Sequence, residues 1–178
     1  MQDLGYKQLT KETWLKPDRI STSFLLVSPE TGVDDIKKGE MYLDMILQPH
    51  LNEEVPFEVR KLYEVARGAL VYGYFFYPLY TLACEQLFRV GEAAIMLRCK
   101  IISPRLAKRT FEKKIEFLFK QGILNDIEKW RWHALRELRN ISSHPVDQSI
   151  YPPGPVIGIL AHVAEDINIL FSEKTQIV

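Results

Sequence analysis

Residues 79–101 read LYTLACEQLFRVGEAAIMLRCKI, without a proline and with Leu82, Ala83, Leu87, Val90, Ala94 and Leu97 recurring at helical spacing. That periodicity, sustained for more than six turns, predicts one long helix, and the rest of the chain takes its reading from it. Immediately before and into it, residues 68–84 carry no charge. Seventeen uncharged positions are at the bottom of the range that spans a bilayer. The run is broken by Gly68, Gly73 and Pro78 and holds Tyr72, Tyr74, Tyr77 and Tyr80, so we read it as a buried connection between two helices and expect no membrane.

Working toward the N-terminus, Pro56 stands at the first turn of a second helix with Val59, Leu62, Tyr63, Ala66 and Leu70 on one side. Ile36, Met41, Leu43, Ile46 and Leu47 make a first helix that ends before Pro49. Residues 1–32 differ in character, with Pro17, Pro29 and a β-like run from Thr22 to Val27. They are expected to form an extended arm, with a short strand packed on the body.

Working toward the C-terminus, Ser103-Pro104 reads as an N-cap followed by proline, opening a basic helix that stops at Gly122. Asn125 with Glu128 three positions on resembles a capping box. It starts a helix through Leu135, Leu138 and Ile141 that must end near His144, because Pro145 follows. After a loop at residues 151–155, a last helix buries Ile159, Val163, Ile167 and Leu170. The fold class is therefore all-α, an up-and-down bundle at residues 33–178 carrying the arm at 1–32.

Composition excludes several functions. With 178 residues and 47% hydrophobic, the chain suits one ordinary globular domain. Two cysteines, Cys84 and Cys99, make neither a disulfide scaffold nor a zinc-ribbon site and are expected as small buried hydrophobes. The first residues, MQDLGYKQLTKETW, lack a basic-then-apolar signal peptide, so a cytoplasmic location is expected. There is no Gly-rich phosphate loop, no GxSxG elbow and no HExxH. His162 with Glu165 and Asp166 is the nearest metal-like group and reads better as a histidine beside a same-face carboxylate. His133, mid-helix near Trp130 and Trp132, reads as packed or hydrogen-bonded rather than catalytic, and no cofactor is expected.

Lys+Arg and Asp+Glu balance at 23 each, but unevenly along the chain: residues 1–99 and 145–178 each carry a net −3, and residues 100–144 carry +6. Inside that basic block lies Arg136-Glu137-Leu138-Arg139-Asn140-Ile141-Ser142-Ser143-His144-Pro145. A guanidinium matches phosphate oxygens and stays charged, while an imidazole near neutrality can take or give a proton. On a regular helix Arg139 and His144 would stand ~140° apart, so they converge only if the backbone leaves the helix near His144, where Pro145 disfavours the α region. A plainer use is also open, in which Arg139 pairs with a carboxylate and His144 caps the helix C-terminus.

Arg139-Asn140-Ile141-Ser142-Ser143-His144 resembles the Arg-x4-6-His motif of the HEPN superfamily, where a polar residue commonly follows the arginine. The Ser-His-Pro ending is similar to that of many bacterial HEPN domains. The resemblance covers residues 56–175 in architecture and about six residues in motif. It implies a homodimer whose two motifs face one cleft and a metal-independent endoribonuclease of toxin–antitoxin or phage-defence type. His144 would do acid/base work, Arg139 would hold the phosphate and Asn140 would support both. The same superfamily holds members that only bind nucleotides or assemble with a partner such as an antitoxin or a nucleotidyltransferase. Glu85, in the long helix, is a candidate accessory residue facing the site, or else a surface carboxylate beside Arg89 at i+4. Lys108, Arg109, Lys113 and Arg136 are candidate RNA contacts, the first three expected on one helix surface, or else simply a solvated helix face.

Overall fold

The computed structural model describes residues 6–24, 35–142 and 151–172. Among these residues there is no strand, and the order is α1 (Arg19–Phe24), α2 (Asp35–Leu47), α3 (Phe57–Gly73), α4 (Leu79–Ile102), a 3-10 turn (Pro104–Lys108), α5 (Phe111–Lys120), α6 (Asp126–Ser142) and α7 (Pro153–Phe171). The all-helical bundle is as the periodicity predicts.

The long helix is the axis of the molecule. α4 packs against α3, α5, α6 and α7. It therefore buries residues on nearly every side, from Tyr80 and Ala83 through Leu87, Val90 and Ala94 to Cys99. Among the periodic residues that mark α4, Leu82 stands exposed. Burial pushes the Cys84 thiol up to about 12 and Cys99 to about 11, which leaves both as inert apolar groups. The uncharged run at 68–84 is no single helix: it is divided between the end of α3, a tight turn and the start of α4. In that turn Phe75 and Phe76 donate their N–H groups back to Tyr72 O at 3.0 and 3.1 Å. Among the described residues, α7 alone is long and apolar enough by length and composition to cross a membrane. Here it buries Val156, Leu160, Ile167 and Leu170 within the bundle, whose core runs from α2 to α7.

Three boundaries differ from the sequence reading. Thr22 to Phe24 are helical, not a strand; Val27 and its neighbours lie outside the described residues. Asp18 starts α1 by accepting the Ile20 N–H on its carboxylate at 2.9 Å. Its other oxygen takes the Tyr77 N–H at 3.0 Å, and Ser21 Oγ donates to Gly73 O at 2.7 Å, so this segment docks on the α3–α4 turn.

The second difference bears on the basic residues. No continuous helix runs from Ser103: Pro104 opens only a 3-10 turn, and Arg109 is extended. The true cap is Thr110, whose side chain accepts from Lys113 N. Lys108, Arg109 and Lys113 therefore do not share one helix surface. Leu106 in this turn packs on the core, which ties the segment down before α5 begins. α5 ends as expected at Gly122, whose φ of 70° is open to glycine without strain. The N–H of Gly122 reaches Phe119 O and that of Ile123 reaches Leu118 O, a Schellman closure. Third, α7 begins at Pro153, inside the stretch read as a loop, because a proline in the first turn needs no donor.

Candidate functional site

α6 begins with a reciprocal cap. Asn125 N–H donates to Glu128 Oε2 at 2.8 Å, and Glu128 N–H donates to Asn125 Oδ1 at 2.9 Å. From that start the helix period places Trp132, Leu135, Arg139 and Ser142 on one face, turned toward α4. Gly91 of α4 admits them: a Cβ there would lie 2.8 Å from Leu135 Cδ1 and 3.3 Å from the Trp132 ring. Leu135 sits over Gly91, while Ser142 lies against Glu85 and Arg89 further toward the N-terminus of α4. The two helices thus run antiparallel in close contact.

Where the pair opens, Glu85, Phe88, Arg89, Arg139 and Ser142 line a cleft of about 320 Å³. Arg139 Nε donates to Glu92 Oε2 at 3.0 Å, and a longer contact of 3.4 Å joins its Nη1 to Asn140 Oδ1. Both side chains of the Arg139–Glu92 pair are about one-third exposed, at 38% and 30%. Such a half-open pair contributes about 1 kcal/mol or less, so it orients the guanidinium without locking it out of reach. Glu85 and Arg89 stand at i, i+4 yet form no ion pair with each other, and both turn into the cleft.

The structure thus brings Arg139, Asn140 and Glu85 to one region. His144, with Ser143 and Pro145, lies outside the described residues. Arg136 pairs with Glu137 of its own helix. Lys108, Arg109 and Lys113 are exposed and do not line the cleft; they lie in the segment that folds back on α4, where the Lys114 carbonyl meets Cys99 Sγ, ten positions along the helix from Arg89. Lys114, counted in the same basic block, is buried.

The other histidines are engaged elsewhere. His133 Nε2 meets Glu116 Oε1 at 2.9 Å, and Lys129 joins the same carboxylate. Those two partners hold the Glu116 carboxyl below its usual range. His162 lies 3.9 Å from Glu165 on an exposed face, as its spacing suggests. Among the described residues no three His, Cys, Asp or Glu side chains gather as a metal site.

Two charged neighbours of Arg139, namely Arg89 and Glu92, belong to no motif. Their signal in the sequence is a charged stripe, Glu85, Arg89 and Glu92 at i, i+4 and i+7, on a helix otherwise largely apolar. On its other side α6 forms a second groove with α7, of about 350 Å³, containing Phe88, Trp130, Leu138, Val163 and Asp166. No protein-family model matches the chain, and neither a curated protein nor a solved structure does.

Proposed function

We propose that this chain is a HEPN-like, metal-independent endoribonuclease of a toxin–antitoxin or phage-defence system, cytoplasmic and homodimeric. The observation that carries the reading is the place of the motif arginine: Arg139 opens into a half-exposed cleft beside Glu85 and Arg89 rather than into the core. In this reading the phosphodiester lies against Arg139. His144 takes the proton of the ribose 2′-OH as that oxygen attacks the adjacent phosphorus. The bond to the 5′-oxygen breaks, and that oxygen takes a proton from water while the His144 imidazolium returns its own to solvent, giving a 2′,3′-cyclic phosphate and a 5′-hydroxyl end. Arg139 stabilises charge on the pentacovalent phosphorus, a task worth about 3 kcal/mol for comparable fixed donors. Asn140, in contact with Arg139, supports its orientation, and Glu85 accepts a hydrogen bond from the ribose.

The test compares the unsubstituted chain with Arg139→Ala and His144→Ala on mixed RNA in EDTA. Cleavage should fall about 100-fold or more in each variant. Equal cleavage by all three, or cleavage by none, would sink the assignment.

A second reading is a non-catalytic HEPN-like nucleotide-binding or assembly module working with an antitoxin or a nucleotidyltransferase. It is favoured by the Glu92 contact, which occupies one edge of Arg139, and by the α6–α7 groove, which is rimmed by the exposed Trp130 and Leu138. It predicts binding or partner capture without RNA turnover.

A further inference from the structure

The α4–α6 cleft contains two guanidinium groups in different circumstances. Arg139 is engaged through Nε by Glu92 at 3.0 Å, so its charge is offset locally and its position is set. Arg89, one turn before Glu92 on α4, is exposed, lines the same cleft, and has no ion-pair or side-chain hydrogen-bond partner among the described residues. We infer that Arg89 is the cation that admits and grips the phosphate of a single-stranded RNA or nucleotide ligand in this cleft, with Arg139 beside it as the fixed member of the pair. This rests on the nucleotide-handling reading of the cleft and adds to it a residue outside the Arg139–His144 motif.

Charge in the cleft makes the argument. Glu85 and Glu92 bring two negative charges, Arg139 and Arg89 two positive ones. Without Arg89 the cleft is net negative and opposes an anion. With it the cleft is neutral overall, yet uneven, because Arg139 is already paired and Arg89 is not. An unpaired guanidinium needs no ion pair broken before it meets phosphate oxygens, and its planar fork matches two of them at once. Ser142 does not compete for this role, since its hydroxyl donates to Leu138 O at 2.9 Å. The geometry of α4 supports the same division: positions 85, 89 and 92 share one helix face, so Arg89 sits between the two carboxylates and within reach of what Arg139 touches.

The test measures binding of a fluorescently labelled single-stranded oligoribonucleotide to the full chain by anisotropy across a salt series, in EDTA. Arg89→Ala should bind about tenfold more weakly at low salt, with a logarithmic salt slope shallower by about 0.7, as expected for one lost phosphate contact on a single strand. Arg89→Lys keeps the charge and should recover the slope while recovering only part of the affinity. Lys61→Ala, which removes an exposed cation on α3, should match the unsubstituted chain. Because Arg89 is exposed, its variants should give unchanged circular dichroism and melting. Binding by the unsubstituted chain that Arg89→Ala leaves intact, or that Lys61→Ala weakens equally, overturns the role of Arg89 and leaves the cleft's function standing. No binding by the unsubstituted chain overturns both.

Discussion

α6 carries a cavity on each of two sides, and they treat charge in opposite ways. Toward α4 the cleft of about 320 Å³ gathers Glu85, Arg89, Arg139 and the adjacent Glu92, all at least partly open to solvent. Toward α7 the groove of about 350 Å³ is mostly apolar and encloses a single acid, Asp166, whose side chain is only 10% exposed. Arg131 Nη1 comes within 3.2 Å of Asp166 Oδ1, but that oxygen gains no hydrogen bond. Burial therefore outweighs the arginine and pushes the Asp166 carboxyl up to about 6. The cavity on one side of α6 thus holds charges open to solvent, and the cavity on the other side holds an acid of α7 whose burial opposes ionisation. What separates the two cases is access to water more than distance to a partner.

The largest test of this contrast removes the wall between the cavities. Phe88 lines both and is 1% exposed. Phe88→Ala should cost about 3–5 kcal/mol in urea unfolding, from the lost burial and the void left behind. A loss below about 1 kcal/mol would mean that the two cavities are not separated by a packed side chain.

A smaller effect isolates the buried acid. A carboxyl raised in the folded state gives stability that is fully present below its unfolded pKa and is lost as pH rises through the folded value. Asp166 should therefore cost stability on the order of 2 kcal/mol as pH rises from about 4 to about 7. Asp166→Asn should flatten that part of the profile, measured as the difference in thermal melting between variant and parent. Parallel profiles would show that Asp166 ionises like a solvated carboxylate.

The smallest effect concerns the rim of the apolar groove. Trp130 is 71% exposed. Trp130→Ala should change stability by no more than about 0.5 kcal/mol while removing the component of tryptophan emission most open to iodide quenching. A larger loss would place Trp130 inside the packed groove rather than on its edge.

Local chemistry was legible where both halves of a signal lie within a turn or two. Asn125 and Glu128 close the cap that their spacing implies, and the α3 residues Val59, Tyr63, Ala66 and Leu70 are all buried. Asp18, whose carboxylate accepts the Ile20 N–H, is an equally local signal for the start of α1, masked by the β-branched and apolar residues from Thr22 to Val27. Ser103-Pro104 misled for a different reason. It has the composition of a helix start, but Leu106 packs on the core and Arg109 extends before Thr110 can cap α5. The period of α4 marks a helix without marking which side meets water, because α4 is apolar on most sides, the exposed Leu82 included.

By itself, the sequence determined the all-helical class, the long central helix, the cap of α6 and the position of Arg139 near the end of that helix. Periodicity and capping are local, each decided by residues within about four positions of one another. Only the tertiary structure decided that Glu85, Arg89 and Glu92 would face Arg139. That pairing spans 47 residues between Glu92 and Arg139 and depends on the close approach of α6 over Gly91. No helical period encodes which face of one helix a distant helix will cover. Packing volume decides it, and with it which charges are left in the cleft.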